Sequence, residues 1–111
     1  MDNVKNNGYY IKKIENDIDF IILHTKNVSQ KDFEADELLQ SAMLFRLIQI
    51  SENAGRITAE FKAAASRIPW TDIAGLRNRI VHDYGNVDLS VVFSTLKDDI
   101  PELKKLISLY Q

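Results

Sequence analysis

The chain has 111 residues, of which 45% are hydrophobic and 27% charged, and its formal net charge at pH 7 is −2. This length suits one domain, 1–111, with a single core, and the composition is that of a globular protein rather than of a disordered or fibrous one. The longest apolar run, DFIIL at 19–23, is much shorter than the roughly 18–20 residues that a membrane span needs. The first ten residues lack the apolar core of a signal peptide, and cysteine is absent. We therefore expect a cytoplasmic protein with no membrane association.

Residues that bind metals or phosphate-rich cofactors are sparse. The two histidines, His24 and His82, do not form an HxxxH or HExxH pattern, and no thiolate is present to help them. The four glycines are scattered and form neither a GxGxxG nor a Walker-type loop. We expect no metal site and no cofactor.

Hydrophobic periodicity predicts two helices in the first half of the chain. Isoleucines at positions 11, 14, 18 and 21 follow a +3/+4 spacing and predict a helix over about 8–26. A longer apolar stripe from Leu39 to Phe61 predicts a second helix over about 33–64, which contains Gly55. A polar, turn-like stretch separates the two.

The second half of the chain predicts two or three further helices. Pro69 favours the beginning of a third helix, and Gly85 favours its end. Asp88 is a suitable N-cap for a fourth helix, in which Pro101 predicts a bend or a break. With short loops between sequential helices, the chain is predicted to be all-α, an antiparallel up-down bundle of four to five helices.

Basic residues concentrate in the middle of the sequence. All five arginines lie between residues 46 and 79, and from 46 to 85 six basic residues stand against four acidic ones. This segment is therefore positive in a chain that is negative overall, which favours contact with phosphates. Chance clustering on solvated helix faces gives the same count, so both explanations stay open.

The third predicted helix carries the residues best suited to chemistry. At about 100° per residue, Asn78 and His82 share a face and can hydrogen-bond, whereas Arg77 and His82 lie about 140° apart and flank one edge. His82 would occupy the last turn before Gly85, where the negative end of the helix dipole favours the imidazolium form.

These residue types are sufficient for RNA cleavage without a metal ion. A base removes the proton of the ribose 2′-OH, Arg77 stabilises the charged phosphorane, and an acid protonates the leaving 5′-oxygen. His82 suits the acid or base role, because its charge changes near neutral pH. A histidine near a helix C-terminus is more often a capping residue, so the spacing alone does not decide between the two roles.

A longer stretch, IPWTDIAGLRNRIVHDYGNVD at 68–88, resembles the signature of the HEPN superfamily, and specifically of its HepT-like branch. The superfamily motif is an arginine, a polar residue, a few further residues and a histidine, which Arg77, Asn78 and His82 match. The HepT-like branch adds a tyrosine two residues after the histidine, matched by Tyr84.

This resemblance implies a HEPN helical bundle that forms a homodimer, with both copies of the motif lining one cleft. The implied activity is metal-independent RNA endonuclease action by the toxin of a toxin–antitoxin pair. The implied partner is a minimal nucleotidyltransferase (MNT) antitoxin, which transfers AMP onto the motif tyrosine.

The resemblance also implies residue roles. Arg77 stabilises the transition state, His82 acts as acid or base, and Asn78 orients the imidazole. Arg79 and Tyr84 contact RNA or its phosphates, and Tyr84 is also the site of AMPylation. RNA is thus the expected substrate.

Two other interpretations are open. In the first, the domain is a non-catalytic module that binds a nucleotide or a nucleotidyltransferase. In the second, Arg77, Asp83 and Tyr84 form a structural network at a dimer interface and carry out no chemistry. In addition, many relatives carry an IGEA-like stretch in the second helix, where this chain has ISENAG at 50–55. A role for Glu52 in the site is therefore as open as a structural one.

Overall fold

The computed structural model describes residues 6–82 and 86–110, and of His82 only the backbone. Nearly all of the regular structure in these residues is helical, the exception being one antiparallel ladder of two two-residue strands. The all-α fold class is therefore confirmed, although the chain forms more and shorter helices than the four to five that we predicted. No helix of the described residues is long and apolar enough to cross a membrane.

Two long helices, α1 (Asn7–Thr25) and α3 (Glu37–Ala54), pack against each other along the domain. They run antiparallel, because the start of α1 meets the chain just after α3. There the Asn7 amide donates to the Thr58 hydroxyl at 3.0 Å, and the Thr58 backbone N–H donates to the Asn7 side chain at 3.0 Å. The predicted first helix is confirmed, and all four isoleucines of its stripe are buried.

The second predicted helix, 33–64, is wrong in extent, because the structure divides that stretch into three helices. A short α2 (Gln30–Glu34) precedes α3, and a short α4 (Ala59–Ala64) follows it. Asp36 and Thr58 adopt extended backbone conformations, and each accepts a hydrogen bond from a backbone N–H three residues later. These two N-caps begin new helices where the hydrophobic stripe suggested continuity.

The C-terminal helix begins at Asp88, as predicted, but it changes type along its length. The Asp88 carboxylate accepts from two backbone N–H groups at the start of α7 (Leu89–Ser94). A π-helical segment (Thr95–Asp99) leads directly into α8 (Ile100–Ser108). Because the ring of Pro101 would clash with a carbonyl one turn earlier, the wider π-helical turn accommodates it without ending the helix.

The core lies between α1, α3 and the C-terminal helix, and the short helices between residues 59 and 80 close it from one side. One aromatic contact links α2 to α7, where the ring centroids of Phe33 and Phe93 are 5.8 Å apart. Ile80, at the end of the motif helix, is itself a core residue, so the motif is tied directly to the core. The largest fully buried side chains are Phe33, Ile14, Ile18, Ile21, Met43, Leu47, Ile50, Ile68, Ile80, Leu96, Ile100 and Ile107.

Candidate active site

The motif region is built from two short helices, α5 (Trp70–Ala74) and α6 (Leu76–Ile80), rather than from the single helix over 69–85 that we predicted. The interruption falls at Gly75, whose φ of −86° and ψ of 0° depart from helical geometry. The backbone N–H of Gly75 still donates to Thr71, and its carbonyl accepts from Arg79, so the two helices follow each other closely.

Trp70 and Ser51 fix α5 on the rest of the domain. The indole N–H of Trp70 donates to the carbonyl of Ala65 at 3.1 Å, and its ring meets Phe61 edge to face at 6.4 Å. The Ser51 hydroxyl, near the end of α3, donates to the carbonyl of Ala74 at 3.4 Å. Trp70 is therefore a packing anchor for α5.

Helix α6 presents three motif side chains to solvent. Leu76 and Ile80 are buried four residues apart, at 4% and 0% exposure, and define the inner face of this helix. The intervening residues Arg77, Asn78 and Arg79 are all exposed. One helical turn thus exposes two guanidinium groups, on either side of the helix, with one amide between them.

His82 lies on a strand and not on the helix. Val81 ends α6 with an extended backbone, and β1 (Val81–His82) pairs antiparallel with β2 (Asn86–Val87). In this ladder His82 is opposite Asn86. Next to the ladder, the backbone N–H of Asp88 donates to the carbonyl of Ile80 at 3.4 Å.

Three predictions about His82 are therefore wrong. Asn78 and His82 do not share a helical face, and the 140° separation of Arg77 and His82 does not apply, because the helix ends before His82. The dipole argument for an imidazolium also fails, since His82 is not in a helical turn. Tyr84, and with it Asp83 and Gly85, lies outside the described residues.

Arg79 has an ion-pair partner that the sequence did not indicate. Its guanidinium lies 3.6 Å from the carboxylate of Asp99, and both side chains are substantially exposed. Asp99 belongs to the π-helical segment, so the C-terminal helix reaches the motif through this pair. Since both groups are exposed, water screens the attraction, and the pair leaves Arg79 available to a phosphate.

Not all basic residues of the middle segment belong to the site. Arg46 is directed at α1, where it donates to Asp17 at 2.9 Å and lies 3.8 Å from the ring centre of Phe20. Lys62 lies 5.7 Å from the ring centre of Trp70. Some of the basic residues that we counted therefore contact other parts of the domain. Arg77 and Arg79 are the basic residues of that segment that belong to the motif.

The part of the chain that the structure describes contains no cluster of possible metal ligands. Among the described residues, no three histidine, cysteine, aspartate or glutamate side chains lie close enough together to hold one.

Comparison with known proteins identifies the family. The model of the family described as "Ribonuclease HepT-like" matches residues 14–109, which include the whole of the motif. The chain belongs to the HepT-like ribonuclease family. The resemblance seen in the sequence is thereby confirmed.

Individual HepT-like relatives match over most of their length. A protein of Thermococcus cleftensis named "Probable ribonuclease HepT" is 35% identical over 95 residues, covering 86% of each chain. A protein of Caldanaerobacter subterraneus subsp. tengcongensis, whose name describes an RNase, is 33% identical over 96 residues, again covering 86% of each. No solved structure gives a significant match.

Glu52, whose role the sequence left open, is exposed in the last turn of α3. Its neighbour Ser51 donates a hydrogen bond to the end of α5, so this part of the HepT-like chain lies beside the helix that precedes the motif.

The sequence did not indicate Asp99 as a residue near the motif. The nearest indication in the sequence was Pro101, which predicted an irregular helix. It did not predict which side chains of that helix lie next to the motif.

Proposed function

We propose that this HepT-like chain is an endoribonuclease that cleaves RNA without a metal ion, as the toxin of a toxin–antitoxin pair. The observation that carries the proposal is the joint exposure of Arg77, Asn78 and Arg79 on α6, with His82 two residues beyond the helix. The family match over the same residues supports it.

The proposed reaction uses the ribose 2′-OH as the nucleophile. His82 takes or gives the proton, Arg77 binds the phosphate through paired N–H donors, and the 5′-oxygen leaves with a proton to give a 2′,3′-cyclic phosphate. Arg79 contacts a neighbouring phosphate. Asn78, between the two arginines, donates to the RNA backbone, since the i,i+4 spacing on which its imidazole-orienting role rested is absent.

A homodimer suits this chemistry. The reaction needs one base and one acid, and the motif of each chain supplies a single histidine. The other histidine, His24, lies on α1 with its ring 4.3 Å from that of Phe20. Two copies facing one cleft would provide both proton-transfer groups. Helix α3 offers an apolar stripe for such an interface, because Leu38 and Phe45 are 82% and 57% exposed and seven residues apart.

We further propose that an MNT-type nucleotidyltransferase neutralises the toxin by attaching AMP to Tyr84. If that AMP reaches Arg77 and Arg79, its phosphate neutralises the positive charge that RNA binding needs. Intact-mass measurement after co-expression with such an enzyme tests this step. A Tyr84→Phe variant that still gains the mass of AMP would place the modification elsewhere.

Cleavage of a labelled single-stranded RNA in the presence of EDTA tests the activity. Arg77→Ala and His82→Ala are each expected to lower the rate by about 100-fold or more, because each removes transition-state stabilisation or proton transfer. Arg67→Ala and His24→Ala are matched controls, since both residues are exposed and lie outside the motif. These two are expected to cleave as the wild type does.

The outcomes separate the alternatives. Equal cleavage by all five proteins would indicate a contaminating nuclease, and loss of wild-type cleavage in EDTA would contradict metal independence. Tight nucleotide binding by a wild type that cuts no RNA would favour the non-catalytic binding module.

A further inference from the structure

An apolar groove lies directly beside the motif helix, between α5 and α6 on one side and the C-terminal helix on the other. It encloses a cavity of about 160 Å³. Its walls are aliphatic and come from four elements of the fold: Ile50, Ile73, Leu76, Ile100, Leu103 and Leu106.

The rim of this groove is acidic. Asp72, Asp99 and Glu102 contribute carboxylates, and Arg79 contributes a guanidinium, so the formal charge of these four rim residues is −2. Arg79 and Asp99 both line the groove, and their charged groups are 3.6 Å apart. Both pair members are exposed, so the pair can exchange for contacts with a bound molecule.

The size of the cavity limits what enters it. An aliphatic cavity of about 150 Å³ holds a group the size of benzene. The groove therefore accommodates one large apolar side chain of a binding partner, with the rest of that partner lying over the rim.

The chemistry of the groove favours a protein over RNA as its occupant. The described residues that form the walls include no aromatic ring on which a base could stack, and the negative rim repels phosphates. A protein segment with a leucine or a phenylalanine between lysines or arginines matches both the apolar walls and the carboxylates.

We propose that this groove is the docking site for a basic amphipathic segment of a partner protein, which inserts one large apolar side chain. The proposal goes beyond the activity proposed above and requires no cleavage of RNA. Leu76 and Arg79 line the groove from the same helical turn that carries Arg77 and Asn78. A segment seated there covers Arg79, so it competes with RNA for that guanidinium.

Three labelled peptides of about 16 residues, long enough to form a helix, test the chemistry of the occupant. The first has leucines on one face flanked by lysines, the second has the same leucines flanked by glutamates, and the third has lysines with serine in place of leucine. Fluorescence anisotropy with the intact chain is expected to show the first peptide binding at least about tenfold more tightly than either of the others.

Two variants and two matched controls locate the binding site. Leu106→Gln, in the groove wall, is expected to weaken binding of the first peptide about tenfold. Glu102→Lys, on the exposed rim, is expected to weaken it about fivefold at low salt and less at high salt. Leu109→Gln, just after α8, and Asp98→Lys, in the π-helical segment, make the corresponding changes outside the groove lining. Both variants are expected to bind as the wild type does.

Several results would overturn the proposal. These are equal binding of the lysine and glutamate peptides, or equal loss of binding in the groove variants and their controls. A wild-type dimer that Leu106→Gln alone converts to a monomer would show that a second copy fills the groove. Stronger weakening of RNA binding than of peptide binding by Leu106→Gln would assign the groove to RNA. If Leu106→Gln does not fold, the Glu102→Lys and Asp98→Lys pair decides the question, since both positions are exposed.

Discussion

The ion pair between α1 and α3 allows a sharp test of how this domain is stabilised. Asp17 is only 3% exposed, and its Oδ1 accepts from Arg46 at 2.9 Å. Its other oxygen, Oδ2, is buried and has no hydrogen-bond partner among the described residues. Arg46 is less enclosed, with 29% of its side chain exposed. The two members of the pair therefore differ in what their removal leaves behind.

Removal of Arg46 is expected to be the costly change. Arg46→Met leaves a buried carboxylate without its counter-charge, which costs about 3 kcal/mol, at the low end for buried pairs because water reaches the Arg46 side. The methionine retains contact with Phe20, so the lost cation–π contact adds little. Asp17→Asn retains an acceptor for Arg46 and removes a buried charge. Its free energy of unfolding is expected to stay within about 1 kcal/mol of wild type.

Urea denaturation at neutral pH measures both variants. With an m-value of about 1.5 kcal/mol per molar urea, Arg46→Met should lower the midpoint by about 2 M, and Asp17→Asn by well under 1 M. In the double variant, the Asp17→Asn change removes the stranded charge, so the double variant should be more stable than Arg46→Met alone. If Asp17→Asn lowers the free energy of unfolding as much as Arg46→Met does, the reasoning is refuted. The stability would then come from the ion pair itself, and the cost of Arg46→Met would not arise from the carboxylate that it leaves unpaired.

The same pair predicts a pH dependence. Burial raises the pKa of Asp17 above its ordinary 3.8, and the hydrogen bond and charge of Arg46 offset this only in part. The folded state therefore binds the proton more tightly than the unfolded state, so the contribution of Asp17 to stability increases as pH falls through the raised pKa toward 3.8. The stability of wild type relative to Asp17→Asn should increase between pH 7 and about pH 4. An equal difference in urea midpoint at both pH values would contradict this sign.

Two further changes test local features of the fold, both by urea denaturation. Thr58→Ala removes the cap that accepts from the Phe61 backbone at 3.2 Å and from Asn7 at 3.0 Å, so it should cost about 1–2 kcal/mol; a loss below about 0.3 kcal/mol would show that this cap does not hold α4 in place. Phe33→Ala empties a fully buried site beside Phe93 and should cost about 3–4 kcal/mol, and an unchanged midpoint would mean that α2 does not belong to the cooperative core.

Helix boundaries were predicted best where the apolar stripe of a helix packs against one neighbouring helix. The first helix, with its buried isoleucines, and the cap at Asp88 were both found from local pattern alone. The prediction of one helix over 33–64 was wrong because the apolar spacing continues through a helix break when the helices on both sides bury the same face. Asp36 and Thr58 are residue types that favour N-caps, so a signal for the breaks existed, but apolar periodicity outweighed it.

The groove and the Arg79–Asp99 pair could not be predicted, because they join residues that are distant in sequence. Asp99 faces the motif from a π-helical segment, in which the backbone hydrogen bonds span five residues instead of four. Only the packing of the C-terminal helix against α6 shows which carboxylate meets Arg79.

The end of the motif helix shows why the sequence supported two local structures. Leu76 and Ile80 fit a helical spacing, and Gly85 fits a helix C-terminus, which led to the prediction of one continuous helix. The β-branched residues Val81 and Val87, separated by a short stretch with a glycine, also fit a hairpin, and the structure pairs these two residues in its ladder. Ile80 is the last residue of α6 and is fully buried, so the strand that follows starts directly from the core. The arginines and the histidine of the motif therefore sit on separate elements, so the position of His82 relative to Arg77 depends on the pairing of Val81 with Val87 as well as on α6.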